Sequence, residues 1–306
     1  MSEIKLFNLT TAGAFELKGE GSDLEKPLQI KIERHLELLL GVRFLSSEYS
    51  TGPIHGGRID TLGLDEDNCP VIIEYKRAVS ENVINQGLYY LDWLMDHRGE
   101  YERLVQKILG SNIADEIDWS SPRLICIATD FTKFDAHAIA QIDRNIDLIR
   151  YKLFGQDLFL LENVNSRTSS HKITTISYAS LSTNVTATKK IHDKSYTEWT
   201  EKLSSETRTL LASIEDYLQA LGDDVIRKEL KLYAAFKRLK NFACVVINLN
   251  EILLYLNLDA NTIELPSFAE DVSKIGHWGT GDILIRIKSY EDFEQAKPLI
   301  IKAYEG

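Results

Sequence analysis

Apolar residues recur with two different periods along this chain, and the two alternate. In the first half, residues 1–20 carry Ile4, Leu6, Phe7 and Leu9, which predict a short strand and a turn. Ser22-Asp23-Leu24-Glu25 has the form of a capping box, and Leu28, Ile32, Leu36, Leu39 and Leu40 then follow at helical spacing up to Gly41. An extended segment is predicted from Val42, a loop over Ser50–Gly57, and a strand over Arg58–Leu64. After the polar turn at 65–68, Val71–Tyr75 is a run of β-branched residues and predicts a buried strand. Helices are expected over Val83–Leu94, Tyr101–Leu109 and Ala136–Ile142. Strands are expected over Leu124–Thr129, Leu148–Leu153 and Leu158–Leu161. Strands alternating with helices imply an α/β fold: a mixed sheet flanked by helices on both faces.

The pattern changes near residue 163. Residues 163–194 are dense in Ser, Thr, Asn and Lys and predict a polar linker, with a weak alternation around Ile173–Tyr178. Trp199–Leu221 then predicts helix. Glu229–Phe236, Ala243–Leu249, Ile252–Leu258 and Asp282–Ile287 predict strands, and Tyr290–Tyr304 a closing helix. The expected organisation is therefore a first α/β domain over 1–162, the linker, and a smaller α+β domain over 195–306.

Composition narrows the function classes. With 306 residues, 44% hydrophobic and 26% charged, the chain has the make-up of a soluble globular protein. It contains no apolar run long enough to span a bilayer, and its N-terminus lacks a secretory pattern. Cys69, Cys126 and Cys244 are odd in number and far apart, which fits neither a disulfide framework nor a zinc site. A cytoplasmic, membrane-free protein is the expectation. The net charge of −11 argues against a surface coated for non-specific DNA binding, though a local basic groove remains compatible with it.

The strongest chemical signal is Gly57-Arg58-Ile59-Asp60 followed by Val71-Ile72-Ile73-Glu74-Tyr75-Lys76. On a strand, Glu74 and Lys76 project to one side and Tyr75 to the other. Paired as a hairpin, the two strands would bring Asp60 beside them. Two carboxylates suit a hard cation such as Mg²⁺ or Mn²⁺. An ammonium beside them can orient a water or offset negative charge on a phosphoryl group. Such charges also occur on solvated strand faces, but Ile72 and Ile73 place this strand in the interior, where unpaired charge is costly. Gln86 and Tyr90, four apart on one helix face, could reach back to the same strand end.

The order of a helix glutamate, Gly-Arg-Ile-Asp, Glu-Tyr-Lys-Arg and Gln-x-x-x-Tyr resembles the PD-(D/E)XK nuclease superfamily, most closely its NucS-like endonuclease branch, over about residues 20–130. Ile59 stands where the family's name-giving proline would be. The resemblance implies a restriction-endonuclease-like sheet and a Mg²⁺- or Mn²⁺-dependent DNA endonuclease acting on structured, mismatched or foreign DNA. Asp60 and Glu74 would be metal ligands, Lys76 the catalytic lysine, and Gln86 and Tyr90 the supporting pair. Family order makes Glu25 the helix carboxylate and a third metal ligand, with Glu33 the alternative and a capping role for Glu25 equally open. Arg58 and Arg77 flank the motif as phosphate contacts or as surface ion pairs. A homodimer would supply two active sites for a double-strand cut.

In the second domain, Arg227, Lys228, Lys231, Lys237, Arg238 and Lys240 are interleaved with Tyr233, Phe236 and Phe242. Lys237 and Arg238 are the candidate nucleic-acid contacts, and a solvated cationic strand face is the alternative. Gly276–Asp282, with three glycines around His277 and Trp278, reads as a turn holding Trp278 against the sheet. This half resembles the domain of unknown function that accompanies nuclease-like domains in uncharacterised bacterial proteins. Two other functions stay open: a non-catalytic nucleic-acid or protein binding module that retains the nuclease fold, and a second domain that senses a small molecule.

Overall fold

A computed structural model describes residues 4–11, 13–22, 25–76, 82–155, 157–164, 195–248 and 250–306. The chain divides into two compact units, Met1–Ser166 with Lys237–Asn241, and Arg167–Phe236 with Phe242–Gly306. Residues 237–241 thus group with the first unit, although their place in the sequence assigns them to the second domain. The expected strand at Ile173–Tyr178 and most of the expected linker lie outside the described residues.

The first unit opens with a hairpin of β1 (Leu6–Thr10) and β2 (Gly13–Leu17), followed by β3 (Gly19–Glu20). Next come α1 (Glu25–Glu33), α2 (Leu36–Leu40), β4 (Val42–Ser50) and α3 (Gly52–His55). Then follow β5 (Arg58–Asp65), β6 (Pro70–Tyr75), α4 (Asn82–Asp96), α5 (Arg98–Leu109) and α6 (Ser111–Asp115). The unit ends with β7 (Arg123–Ala128), α7 (Lys133–Ile139), β8 (Asn145–Phe154) and β9 (Leu158–Asn163).

The sheet order is β3-β8-β7-β6-β5-β4, with β9 also paired to β8. β4, β5 and β6 are antiparallel, β6, β7 and β8 are parallel, and β8 is antiparallel to β3 and β9. This is the mixed α/β sheet expected from the sequence. Every residue of β6 and β7 is buried, as a parallel pair covered on both faces requires. Alternation sends Ile72, Leu124 and Cys126 into one core with Leu91, Trp93 and Leu94 of α4. Val71, Ile73, Tyr75 and Ile125 enter the other, with Leu28 and Ile32 of α1 and Leu36 and Leu40 of α2.

Two local expectations change. The helix expected across Leu28–Leu40 is broken at Arg34-His35, where His35 leaves helical geometry with φ −128°. The break re-aims Leu36 and Leu40 at the same core that receives Leu28 and Ile32. Gly41 then ends α2 in the left-handed region at φ 64°, its N–H bonded to the Glu37 carbonyl. The loop expected over Ser50–Gly57 contains α3, tied off by Thr51, whose hydroxyl and amide both bond the Gly57 carbonyl at 3.0 Å.

The second unit begins with α8 (Tyr196–Lys202) and α9 (Ser205–Ala220), each capped at its N-terminus by a serine. β10 (Ile226–Glu229) and β11 (Tyr233–Lys237) replace the single strand expected over Glu229–Phe236. β12 (Asn241–Asn248), β13 (Glu251–Leu256), β14 (Ala269–Asp271), β15 (Ile283–Ile287) and α10 (Tyr290–Glu305) complete it. The sheet runs β10-β11-β12-β13-β15-β14. Its core joins Leu210, Ile214 and Leu218 of α9 and Phe293, Ala296 and Ile300 of α10 to Val245, Leu254 and Ile285 of the sheet. Among the described residues no helix is long and apolar enough to cross a membrane.

Candidate metal centre

β5 and β6 pair in a register that sets Thr61 opposite Ile73. Asp60 and Glu74 flank that pair and therefore lie level with each other on neighbouring strands. The Asp60 amide donates to Glu74 Oε1 at 3.2 Å, and the Tyr75 amide donates to Asp60 Oδ2 at 3.0 Å. Each carboxylate is thus held by the backbone of the opposite strand. Tyr75 projects to the other face, where its hydroxyl is hydrogen-bonded with Thr61 Oγ1 at 3.2 Å.

Glu74 is 0% exposed, and its Oε2 is buried with no hydrogen-bond partner among the described residues. A buried polar atom without a partner is rare and costly in a folded protein. Burial, reinforced by the charge of Asp60, pushes the Glu74 carboxyl up to about 9. Burial also raises Asp60, against the opposing effects of the Tyr75 amide and the Lys76 ammonium. Both groups are pushed toward their protonated, neutral forms.

Lys76 leaves the end of β6 with its amide bonded to the Ile127 carbonyl at 2.8 Å, which extends the parallel ladder by one residue. Its Nζ lies 3.8 Å from Oε2 of Glu25, the first residue of α1. Glu33 goes elsewhere: it accepts from Gln29 Nε2 at 2.9 Å and from Thr61 Oγ1 at 2.6 Å. Of the two helix carboxylates, Glu25 is the one brought to the lysine. Among the described residues, however, no three acidic, histidine or cysteine side chains stand together closely enough to hold an ion.

Two further residues shape the site without having stood out in the sequence. Gln29 is buried and donates to the Asp60 carbonyl at 2.6 Å and to Ser47 Oγ at 3.0 Å. Its signal was available, since a polar residue lies on the helical stripe it shares with Ile32. Glu48 lies between the β4–β5 pairs Ser47–Thr61 and Tyr49–Ile59, and so level with Asp60. It adopts φ 55°, a left-handed conformation that costs a non-glycine residue free energy. Its carboxylate binds Lys26 Nζ at 2.7 Å and Arg58 Nε at 2.5 Å. The Lys26 hydrogen bond leads the effects that hold it below the usual glutamate range. No pattern in the sequence marks this residue.

Tyr90 accepts from the Arg58 amide at 3.2 Å and from Gln86 Nε2 at 3.4 Å. Tyr90 therefore braces the backbone of the strand that carries Asp60, Gln86 holds the Tyr90 hydroxyl, and neither bond goes to Lys76. A Cβ added to Gly57 would lie 2.5 Å from Tyr90 Cε1 and 2.8 Å from its hydroxyl. Gly57→Ala is expected to displace this ring and lower stability by about 1–3 kcal/mol, the usual range for overpacking. Urea unfolding of the two proteins measures it.

The proposed nucleic-acid contacts fare differently. Arg58 is exposed, whereas Arg77 lies outside the described residues. Lys237 departs from expectation: it is 3% exposed and ion-paired at 3.3 Å with Asp147, so it presents no charge to a ligand. Arg238 is half-buried in the turn, its amide bonded to the Lys240 carbonyl. Arg227 of the same basic cluster is neutralised by Glu215 at 2.9 Å and Glu229 at 3.2 Å. In the Gly276–Asp282 segment it is His277 that packs, stacked on Tyr255 at 4.3 Å, while Trp278 is 56% exposed.

The donor set fits a small divalent cation. Mg²⁺ keeps several waters and is commonly held by one or two carboxylates, so Asp60 and Glu74 are the residues that would hold it. The orphaned Glu74 Oε2 is the atom such an ion would satisfy.

Comparison with known proteins gives four matches. Parts of the chain are similar to a repair endonuclease from Pyrococcus abyssi, at 20% identity over 43% of this chain and 48% of that one, with a TM-score of 0.27. They are also similar to EndoMS in a complex with double-stranded DNA, at 22% identity over 44% of this chain and 47% of that one, with a TM-score of 0.25. Each of these likenesses spans less than half of either chain. Residues 196–306 match the domain of unknown function DUF5655. Over 309 residues, 98% of this chain and 99% of the other, the identity to an uncharacterized protein of Haemophilus influenzae is 32%, and the chain belongs to one family with that protein.

Proposed function

We propose that the first unit is a Mg²⁺- or Mn²⁺-dependent phosphodiesterase that cuts DNA internally, with Asp60 and Glu74 as metal ligands and Lys76 as the catalytic lysine. The observation that carries the reading is the buried, unpartnered Glu74 Oε2 beside Asp60 and within the field of Lys76. When bound, the cation supplies Lewis acidity toward a phosphoryl oxygen and a lowered pKa for a coordinated water.

The chain's own groups do the rest. The β5–β6 ladder fixes both carboxylates before any ligand arrives, so little reorganisation is needed at the moment of reaction. Lys76 offers its ammonium to a negatively charged phosphate oxygen or holds the attacking water through Nζ. Glu25, 3.8 Å from that nitrogen, orients it. Gln29 grips the Asp60 carbonyl, and Tyr90 with Gln86 grips the Arg58 amide, so the strand bearing Asp60 is held from both faces.

The test pairs calorimetric titration of Mg²⁺ and Mn²⁺ with cleavage of duplex, branched and mismatched DNA. Asp60→Asn is expected to abolish the titration signal, and both Asp60→Asn and Lys76→Ala to lower cleavage at least about a hundredfold. Unchanged cleavage by both variants would overturn the assignment.

A further inference from the structure

Next to the candidate metal centre lies an aromatic surface that the phosphodiesterase chemistry leaves unused. Tyr89 of α4 is 47% exposed, whereas the adjacent Tyr90 and Trp93 are buried. The Tyr89 hydroxyl is already committed, donating to the His55 carbonyl at 3.1 Å. What the residue offers to a ligand is therefore the face of its ring.

That ring is firmly backed. It tilts against the His55 ring at 5.4 Å and the Tyr90 ring at 6.0 Å. His55 in turn meets His97 edge-on at 5.7 Å, and His97 stacks on Trp93 at 4.8 Å. A chain of rings running inward holds the exposed one in place before anything binds.

The position is also informative. Tyr90, the next residue along α4, ties the helix to the amide of Arg58, two residues before Asp60. The Arg58 side chain is 68% exposed, and its contact with Glu48 is through Nε. An exposed ring and an exposed arginine linked through Tyr90 are the residue types that grip single-stranded nucleic acid, the ring taking a base and the cation its phosphate.

We propose that Tyr89, supported by His55, is a stacking platform for an unpaired DNA base next to the Asp60–Glu74 centre, with Arg58 contacting the adjoining phosphate. This rests on the phosphodiesterase reading and narrows its substrate to DNA with single-stranded character at the cut.

The test uses the full chain in a chelating buffer, so that binding is observed without cleavage. Single-stranded oligonucleotides carrying 2-aminopurine report stacking through their fluorescence. Binding is expected to change that fluorescence. Tyr89→Leu is expected to remove the change and weaken binding about tenfold, while Tyr89→Phe keeps both. Circular dichroism checks that the variants are folded. Binding and fluorescence identical for Tyr89→Leu and the unaltered protein would overturn the platform, as would absence of binding by the unaltered protein. Asp60-dependent cleavage together with a neutral Tyr89→Leu would overturn the platform alone. Tyr89-dependent stacking without Asp60-dependent cleavage would overturn the hydrolase reading and leave the platform standing.

Discussion

Asp147→Ala is expected to lower the free energy of unfolding by about 3–5 kcal/mol, the usual cost of removing one partner from a buried ion pair. Asp147 sits on β8 inside the first unit, and its Oδ2 accepts from Arg123 Nε of β7 at 2.6 Å and from Lys237 Nζ at 3.3 Å. Arg123 is 2% exposed, so the truncation leaves a guanidinium and an ammonium facing each other without their shared carboxylate. Burial alone would raise the Asp147 carboxyl, but Lys237 and Arg123 outweigh it and hold it well below the usual carboxylate range. A depressed carboxyl contributes stability above its ordinary value of 3.8 and loses it as the pH falls from there through the folded value. The unaltered protein should therefore show a stability loss beginning below about pH 4 to which Asp147 contributes, and the variant should lack that component. Urea unfolding at a series of pH values reads both effects. A variant as stable as its parent at neutral pH would show that the cluster contributes nothing.

Glu74→Gln is expected to act in the opposite direction when no divalent ion is present. The Glu74 carboxyl is pushed up to about 9 from an ordinary 4.5, by burial first and by Asp60 second. Between those values the folded chain holds a proton that the unfolded chain has released. Stability must then fall as the pH rises through this window and level off above it. The substituted amide cannot ionise, so the variant should lack this slope and exceed the parent by about 1–3 kcal/mol near pH 8, a fraction of the full linkage because water and local relaxation soften buried charge. Added Mg²⁺ reverses the order. At a hundredfold excess over its dissociation constant it stabilises a binding protein by about 2.7 kcal/mol, and a variant lacking the carboxylate gains little. Thermal unfolding with chelator and with Mg²⁺, from pH 5 to pH 9, distinguishes these cases. Parallel pH profiles for the two proteins would remove Glu74 from consideration as a buried cation ligand.

The alternation around Glu-x-Lys made the central strands and their polarity legible in the sequence. Ile72 and Ile73 occupy opposite cores, and Glu74 and Tyr75 follow the same alternation. Backbone irregularity was not legible. The break at Arg34-His35 leaves the apolar spacing nearly helical throughout, so periodicity alone cannot locate it. Glu48 owes its position opposite Asp60 to an irregular β4, where the register shifts between Phe44 and Ser46 and one residue turns left-handed. Lys237 misled for another reason: a lysine among aromatics reads as a surface grip, and only the fold supplies Asp147 to bury it against.

The pairing of Asp60 with Glu74 has a kinetic side. Both residues belong to one short antiparallel hairpin, which closes a small loop at low entropic cost. The neighbour that buries Glu74 is Cys126 on β7, added in parallel only after the whole stretch through α4, α5 and α6 has been crossed. Parallel pairing over such a separation is slow, because loop closure precedes its reward. On that order the two carboxylates would come side by side while still hydrated, and the cost of drying Glu74 would fall on the later step in which β7 docks. A cation captured by the open hairpin would ease that step, so the proposed metal ligation and the order in which the sheet assembles would be aspects of one topology.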